Sequence, residues 1–158
     1  MSYTLYVDVD GVLADFSQQV KNYGLNEANK NEMWKGIRAS QGEFWATIPP
    51  MDDDIICYWY RMEELIPNIQ VLSTPDKRQL EVCVQGKNKW LDQVMAGIPQ
   101  KRLFVQDKSL YATPTSVLID DRTDVLTRWK SNGGLGILHE NWEDTLDQLE
   151  ELVLKRAV

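Results

Sequence analysis

The sequence has few of the residues that commonly form disulfides or bind zinc. Its 158 residues include two cysteines, Cys57 and Cys83, and one histidine, His139. The cysteines lack a C-x-x-C spacing, so we expect free thiols, a reducing compartment and no structural zinc. A chain of this length buries about 70% of its unfolded surface, which is enough to fold without disulfides. The composition therefore predicts one ordinary globular domain.

Positive charge and long apolar runs are also scarce. The chain has 17 Lys and Arg against 24 Asp and Glu, a formal net charge of -7, which repels a nucleic-acid backbone. No apolar run approaches the ~18 residues of a membrane span, and no hydrophobic leader follows Met1. We expect a cytoplasmic protein that binds neither a nucleic-acid polymer nor a membrane. A single small phosphate ester remains compatible with this charge.

Short apolar runs alternate with segments of helical periodicity. The predicted strands lie near residues 5–9, 69–72, 103–105, 117–119 and 135–138, and the predicted helices over 15–23, 87–96, 123–131 and 142–154. This alternation predicts an α/β fold with a mostly parallel sheet flanked by helices, whose ligands lie at the carboxyl ends of the strands. The closing amphipathic helix could pack on the sheet or form a homodimer contact, and we favour the sheet.

Residues 26–66 differ in composition from the rest and indicate an insertion. They hold Pro49, Pro50 and six of the fifteen aromatic residues. The predicted organisation is therefore a core of residues 1–25 and 67–158 interrupted by 26–66. The aromatic residues could line a ligand pocket or form a small core of their own, and the pattern favours neither.

Acidic residues follow two of the predicted strands. Asp8 and Asp10 share one face of an extended segment, so one could attack an electrophile while the other transfers protons; Gly11 permits the turn that follows. Asp120 and Asp121 follow a second strand. Gathering Asp8, Asp10 and Asp121 without a cation would be repulsive, whereas Mg²⁺ prefers oxygen ligands. The cluster predicts a Mg²⁺ site, against the alternative of solvated acidic turns.

Hydroxyl and ammonium groups follow the other strands. Ser73 and Thr74 end the second apolar run, where hydroxyls can donate to a phosphate oxygen. Lys108 would add positive charge against the same anion and against Asp8, and Lys87 is a further candidate. The simpler alternatives are a turn before Pro75 and solvated lysines.

Four motifs follow one another along the chain: Asp8-x-Asp10-Gly11-Val12, Ser73-Thr74, Lys108 and Asp120-Asp121. In type and order they resemble the four motifs of the haloacid dehalogenase superfamily. The resemblance implies a Rossmann-like core with a small helical cap after the first strand. It also implies that Asp8 is the nucleophile and Asp10 the general acid and base. The metal ligands would be Asp8, the Asp10 carbonyl and Asp121, with Asp120 supporting them without touching the ion.

Within that superfamily the chain is similar to the 5'(3')-deoxyribonucleotidases. The matching segments are Asp8 to Phe16, Phe44-Trp45, Ser73-Thr74-Pro75, Asp107-Lys108 and 118–122. This resemblance implies that Ser73 and Lys108 contact the phosphate in catalysis, with Thr74 beside it, and that Phe16, Phe44 and Trp45 line the base and sugar pocket. Relatives often carry arginine where this chain has Gln106, so phosphate affinity or substrate range can differ.

The resulting prediction is a Mg²⁺-dependent phosphoric monoester hydrolase acting on nucleoside monophosphates through an aspartyl-phosphate. One alternative is a phosphatase for another small phosphate ester, and a second is a phosphate-binding protein without turnover. Dehalogenation is disfavoured because it leaves Asp10 and the lysine-flanked anion site without a purpose.

Overall fold

The computed structural model describes residues 2–157, which form five strands and seven α-helices. The strands are β1 (Thr4–Val7), β2 (Ile69–Ser73), β3 (Lys101–Phe104), β4 (Ser116–Asp120) and β5 (Leu135–Leu138). The helices are α1 (Phe16–Asn22), α2 (Lys30–Ala39), α3 (Glu43–Ala46), α4 (Ile55–Leu65), α5 (Leu80–Val94), α6 (Thr123–Ser131) and α7 (Trp142–Ala157). A short 3₁₀ helix, Lys108–Tyr111, follows β3.

The five strands form one parallel sheet in the order β3-β2-β1-β4-β5. The central strand β1 pairs Leu5 with Ile69 of β2 on one side and with Val117 of β4 on the other. The strands read as continuous apolar runs because both faces of such a sheet are buried. Strand order reverses beside β1, which places a ligand crevice at the carboxyl ends of β1, β2 and β4. The predicted α/β fold is confirmed.

Helix α5 begins seven residues before the predicted start at residue 87. The missed turns contain Gly86, a poor helix former that this fold uses for close packing. A Cβ atom at Gly86 would lie 2.7 Å from Cβ of Trp45 and 2.9 Å from the carbonyl oxygen of Gly42. The missing side chain therefore lets α3 pack directly on α5.

The segment between β1 and β2 shares its core with the sheet. It contains α1 to α4, of which α3 packs against α5 and α4 against the closing helix α7. Met33, Ile37 and Phe44 belong to the same buried apolar cluster as Leu5 and Val7. One apolar core therefore extends from the sheet into this segment. The predicted boundaries of a separate cap, 26–66, stay a prediction.

None of the helices in the described part of the chain combines the length and apolar composition that crossing a bilayer requires.

Candidate active site

Three of the predicted site residues lie at the carboxyl ends of adjacent strands. Asp8 follows β1 directly, Ser73 is the last residue of β2, and Asp120 is the last residue of β4. Because β1 lies between β2 and β4, all three side chains start from adjacent strand ends. Sequence positions separated by more than 100 residues are thereby gathered at one place.

The loop after β1 is folded tightly around one carbonyl group. The carbonyl oxygen of Val9 accepts hydrogen bonds from the N–H groups of Val12, Leu13 and Ala14 at 2.8–3.2 Å. Gly11 has φ +83°, a left-handed conformation that other residues rarely adopt. Val9 is buried beneath the loop, and Asp8 and Asp10 flank it at the carboxyl end of β1.

Lys108 joins two buried carboxylates. Its Nζ atom donates to Oδ1 of Asp8 at 2.9 Å and to Oδ2 of Asp120 at 2.8 Å. Burial alone would lower the pKa of Lys108, but the two carboxylates hold it above its usual value, so the side chain stays an ammonium ion. Burial, together with the negative charges of Asp120 and Asp10, raises the pKa of Asp8 to about 7 despite this contact.

Three carboxylates form a candidate metal centre. Oxygen atoms of Asp8, Asp120 and Asp121 all lie within 4.8 Å of one another. Both oxygens of Asp120 already accept hydrogen bonds, one from Lys108 and one from the backbone N–H of Arg122 at 3.0 Å. Asp8 and Asp121 are therefore the better placed of the three to bind an ion, in agreement with the predicted ligand set, which stays a prediction.

The electrostatics of this cluster fit a divalent cation. Partial loss of surrounding water and the negative charge of Asp8 together raise the pKa of Asp121 to about 6. Burial likewise raises the pKa of Asp120. Elevated proton affinity at neighbouring carboxyl groups means that their negative charge is incompletely compensated. Mg²⁺ takes oxygen ligands and would supply the missing charge at Asp8 and Asp121, so the residues present fit this ion.

Asp10 is paired with a second buried lysine. Oδ2 of Asp10 lies 2.6 Å from Nζ of Lys87, whose side chain is 1% exposed. The same ammonium group lies 4.6 Å from the ring centre of Trp45. Oδ1 of Asp10 is buried and has no hydrogen-bond partner within residues 2–157. The expected contact of Lys87 with substrate stays a prediction beside this contact with Asp10.

The hydroxyl group of Ser73 is also unpaired. Its Oγ atom is buried at the end of β2 and finds no hydrogen-bond partner among the described residues. Buried polar atoms are rarely left without a partner, so this hydroxyl is available to donate to a bound group. The adjacent Thr74 is exposed beside it. Both positions are compatible with the predicted phosphate contacts.

The predicted pocket aromatics pack against one another in one cluster. Phe16 contacts Phe44 with ring centres 5.5 Å apart and Trp45 with ring centres 6.0 Å apart. Phe44 has no exposed surface and Trp45 is 3% exposed, whereas Phe16 keeps part of its surface in solvent. Much of the cluster thus serves as a core. Contact with a substrate stays a prediction for all three, and the burial of Phe44 gives it the least support.

Several supporting contacts around Lys108 were not identified from the sequence. Asp107 accepts hydrogen bonds from the backbone N–H and hydroxyl groups of Ser109 at 3.1 and 2.6 Å, and from Arg128 at 2.8 Å. These bonds begin the 3₁₀ helix that presents Lys108. Asp followed two residues later by Ser is a recognisable turn signal, so the contact between Asp107 and Ser109 could have been predicted. Arg128, 21 positions from Asp107, left no local signal.

Gln106 links two loops beside the acidic cluster. Its side-chain amide donates to the carbonyl oxygen of Pro75 at 3.2 Å, which joins the loops after β2 and β3. This position therefore contributes a loop contact in place of the positive charge that relatives often carry there.

Comparisons with known proteins support the fold. Neither a family model nor a curated protein matches the sequence. The structure is similar to a haloacid dehalogenase-like family hydrolase from Streptococcus pneumoniae, with a TM-score of 0.51, 13% identity and 99% of each chain covered. A HAD-like family hydrolase from Porphyromonas gingivalis gives a TM-score of 0.49 at 11% identity, over 94% of this chain and 98% of the other. The chain has the haloacid dehalogenase-like fold, which confirms the predicted superfamily resemblance at the level of fold.

Proposed function

We propose that the protein is a Mg²⁺-dependent phosphatase that hydrolyses nucleoside monophosphates through an aspartyl-phosphate. The observation that carries this proposal is the unpaired Ser73 hydroxyl at the sheet edge that also presents Asp8 and Lys108. An orphan donor, an ammonium group and a carboxylate around one crevice are the groups that a phosphoryl unit requires. The similarity in fold to haloacid dehalogenase-like hydrolases agrees with it.

In the first step a carboxylate oxygen of Asp8 forms a bond to phosphorus. The bond between phosphorus and the ester oxygen breaks, and that oxygen takes the proton of the Asp10 carboxyl group. The products are the free alcohol, an aspartyl-phosphate on Asp8 and the Asp10 carboxylate. Oδ1 of Asp10, which has no partner in the described chain, is the oxygen available for this transfer.

In the second step water hydrolyses the aspartyl-phosphate. Asp10 accepts a proton as the water oxygen bonds to phosphorus, and the bond to the Asp8 oxygen breaks. Inorganic phosphate leaves, and both aspartates return to their starting protonation states. Because Asp8 and Asp10 are separated by one residue on the same loop, one group can serve both steps from the same position.

Lys108 and Ser73 stabilise charge during both steps. Lys108 stays protonated between two carboxylates, so it can hold a phosphoryl oxygen without exchanging a proton. Ser73 would donate its free hydroxyl to the same group. A divalent cation bound by Asp8 and Asp121 would neutralise charge on the phosphoryl oxygens. The buried setting of Asp8 and Lys108 strengthens these interactions relative to water.

The nucleotide part of the proposal rests on the resemblance to 5'(3')-deoxyribonucleotidases and on the aromatic cluster. Phe16 and the neighbouring Trp34 are partly exposed, with ring centres 6.3 Å apart, and could pack against a base. The burial of Phe44 favours a second candidate, a phosphatase for another small phosphate ester. In that case the aromatic residues act only as a core.

A panel of phosphate esters tests the proposal. Purified protein is incubated with deoxyribonucleoside and ribonucleoside monophosphates, sugar phosphates and p-nitrophenyl phosphate, in Mg²⁺ or in EDTA, and phosphate release is measured. We expect Mg²⁺-dependent release that is fastest with a nucleotide. Fastest release from a sugar phosphate would support the second candidate, and phosphate binding without turnover would indicate a non-catalytic protein.

The variant Asp8→Asn tests the nucleophile. It should lower turnover by at least about 1,000-fold while the circular dichroism spectrum is unchanged, because loss of a nucleophile leaves only binding and electrostatic effects. The matched control is Asp147→Asn, at an exposed position of α7, which should retain activity. A folded Asp8→Asn protein with near wild-type turnover would contradict the assignment.

A further inference from the structure

Lys87 is a charged residue that is almost completely buried. Its side chain is 1% exposed on α5, and its ammonium group contacts Oδ2 of Asp10 at 2.6 Å and the ring of Trp45 at 4.6 Å. Burying an ammonium group is costly, and a buried ion pair is often no more stable than an apolar pair of the same size. The placement of Lys87 therefore calls for a reason other than stability.

The pairing leaves the two oxygens of Asp10 in different environments. Oδ2 is held by Lys87, whereas Oδ1 is buried and has no partner within residues 2–157. The hydrogen bond to Oδ2 restricts rotation of the carboxyl group about the Cβ–Cγ bond. The orientation of Oδ1 is therefore fixed as well. Asp8 is held separately, at its Oδ1, by Lys108. Asp8 and Asp10 are thus held by two different lysines.

Trp45 restricts Lys87 in turn. The ring belongs to α3, which packs against α5 through the contact that Gly86 permits. The indole face is attractive to a cation, and its position beside the ammonium group limits where the flexible lysine side chain can lie. Trp45, Lys87 and Asp10 therefore form a continuous contact from the inserted segment to the loop after β1.

We infer that Lys87 is a positioning residue that holds Asp10 so that its free oxygen faces the ester oxygen of the substrate. This inference rests on the proposed function, because it requires Asp10 to protonate a leaving group. It differs from the predicted role of Lys87 as a substrate ligand, since the ammonium group acts through Asp10 and not on the phosphate. Lys108 and Ser73 remain the groups that contact the phosphoryl unit.

Leaving-group dependence separates this role from a structural one. A misplaced general acid slows release of an alkoxide, which needs a proton, but scarcely affects release of nitrophenolate, which does not. The first-step rate is measured under single-turnover conditions with thymidine 5'-monophosphate, glycerol 2-phosphate and p-nitrophenyl phosphate. We expect Lys87→Met to lower the rate about 10- to 100-fold with the two alkyl esters and less than about 3-fold with the aryl ester.

Control and combined variants complete the design. Lys89→Met, at an exposed lysine on the same helix, should leave the rates with the alkyl esters and with the aryl ester unchanged. In an Asp10→Asn background, Lys87→Met should add less than about a 3-fold loss with any ester, since residues acting as one unit are not additive. If Lys87→Met does not fold, Lys87→Arg keeps the charge but shifts it, and should still slow the alkyl esters more than the aryl ester.

Equal losses with alkyl and aryl esters, or a full additional loss in the Asp10→Asn background, would overturn the positioning role while leaving the proposed function intact. A wild-type protein that releases phosphate from none of the three esters would instead overturn the proposed function, and this inference with it.

Discussion

The ammonium nitrogen of Lys108 lies 2.9 Å from Oδ1 of Asp8, although the two residues are 100 positions apart in the chain. The same nitrogen lies 2.8 Å from Asp120, so one positive charge serves two buried carboxylates. Asp121 adds a third carboxylate within reach of one ion. The sheet edge thus carries an excess of negative charge that one lysine does not balance.

Replacing Lys108 should damage both activity and stability. In Lys108→Met, Asp8 and Asp120 lose their shared partner, and breaking a buried pair typically destabilises a protein by about 3–5 kcal/mol. Turnover should fall at least about 100-fold, because a fixed charge at the phosphoryl group is removed. Urea unfolding and phosphate release measure the two effects. Lys130→Met, at an exposed lysine of α6, is the control, and equal stability of the two variants would contradict the expectation.

Magnesium should stabilise the folded protein. At a concentration about 100 times its Kd, a ligand adds about 2.7 kcal/mol, which corresponds to roughly 5–10 °C in Tm for a chain of this size. Asp121→Asn should abolish most of that shift, whereas Asp124→Asn, three positions later and exposed, should keep it. Differential scanning fluorimetry in Mg²⁺ and in EDTA provides the measurement.

The stabilisation by Mg²⁺ should also depend on pH. Without a cation, burial raises the pKa of Asp8 to about 7 and loss of water raises that of Asp121 to about 6. Below these values protons occupy the carboxyl groups and compete with the ion. The Mg²⁺-induced rise in Tm should therefore be largest near pH 8 and shrink toward pH 5.5. A shift that is constant over this range would show that the ion binds elsewhere.

Two features of Gly11 should exclude any side chain at this position: its backbone conformation and its close contact with Asp121. A Cβ atom at this position would overlap Oδ2 of Asp121, and φ is +83°. Gly24 has φ +68°, and a Cβ atom added there would meet no atom of the described chain within 4 Å, so Gly24→Ala isolates the backbone effect, roughly 1–2 kcal/mol. Gly11→Ala should cost more stability than Gly24→Ala, and it alone should remove the Mg²⁺-induced Tm shift. Similar behaviour of the two variants would contradict a steric role for Asp121.

The sequence was sufficient to identify the residues at the strand ends but not the side-chain ion pairs that they form. Apolar runs followed by polar residues located Asp8, Ser73 and Asp120 because short buried strands have a clear local pattern. Their convergence then follows from parallel pairing alone.

The contacts of Lys87 could not be predicted in this way. Its partner Asp10 is 77 positions away, and the contact depends on how α5 is rotated against the loop after β1. That rotation is set by the close approach at Gly86, which a sequence pattern presents only as a weak helix former. The bidentate pair of Arg38 with Asp76, at 2.7 and 2.9 Å, was missed for the same reason. Long-range side-chain partners depend on packing and leave no periodic signal.

His139 should make the protein sensitive to acid. It is buried after β5, with Nδ1 2.7 Å from Oγ1 of Thr145 and the ring centre 4.6 Å from that of Trp142. Burial lowers the pKa of the imidazole to about 4 from an ordinary value of 6.5. Between these values the unfolded chain binds a proton that the folded protein does not, so the free energy of unfolding falls as the pH drops from about 6.5 to 4.

The size of this effect between pH 7 and pH 4 is roughly 3 kcal/mol, because each unit of pKa difference corresponds to about 1.4 kcal/mol and the imidazole of the folded protein is itself about half protonated at pH 4. The control is His139→Gln, whose side chain cannot titrate. Between pH 7 and pH 4 the free energy of unfolding of the wild-type protein should fall by this amount more than that of the variant. Both proteins contain the acidic cluster, so its contribution cancels in the comparison. Because the sequence contains one histidine, its imidazole signal in tag-free protein can be followed by NMR without assignment. A midpoint near 6.5 would contradict the buried neutral state.

The backbone N–H of His139 also donates to the carbonyl oxygen of Asp120 at 2.9 Å, so loosening of this segment by acid should reach the end of β4 and lower turnover over the same pH range.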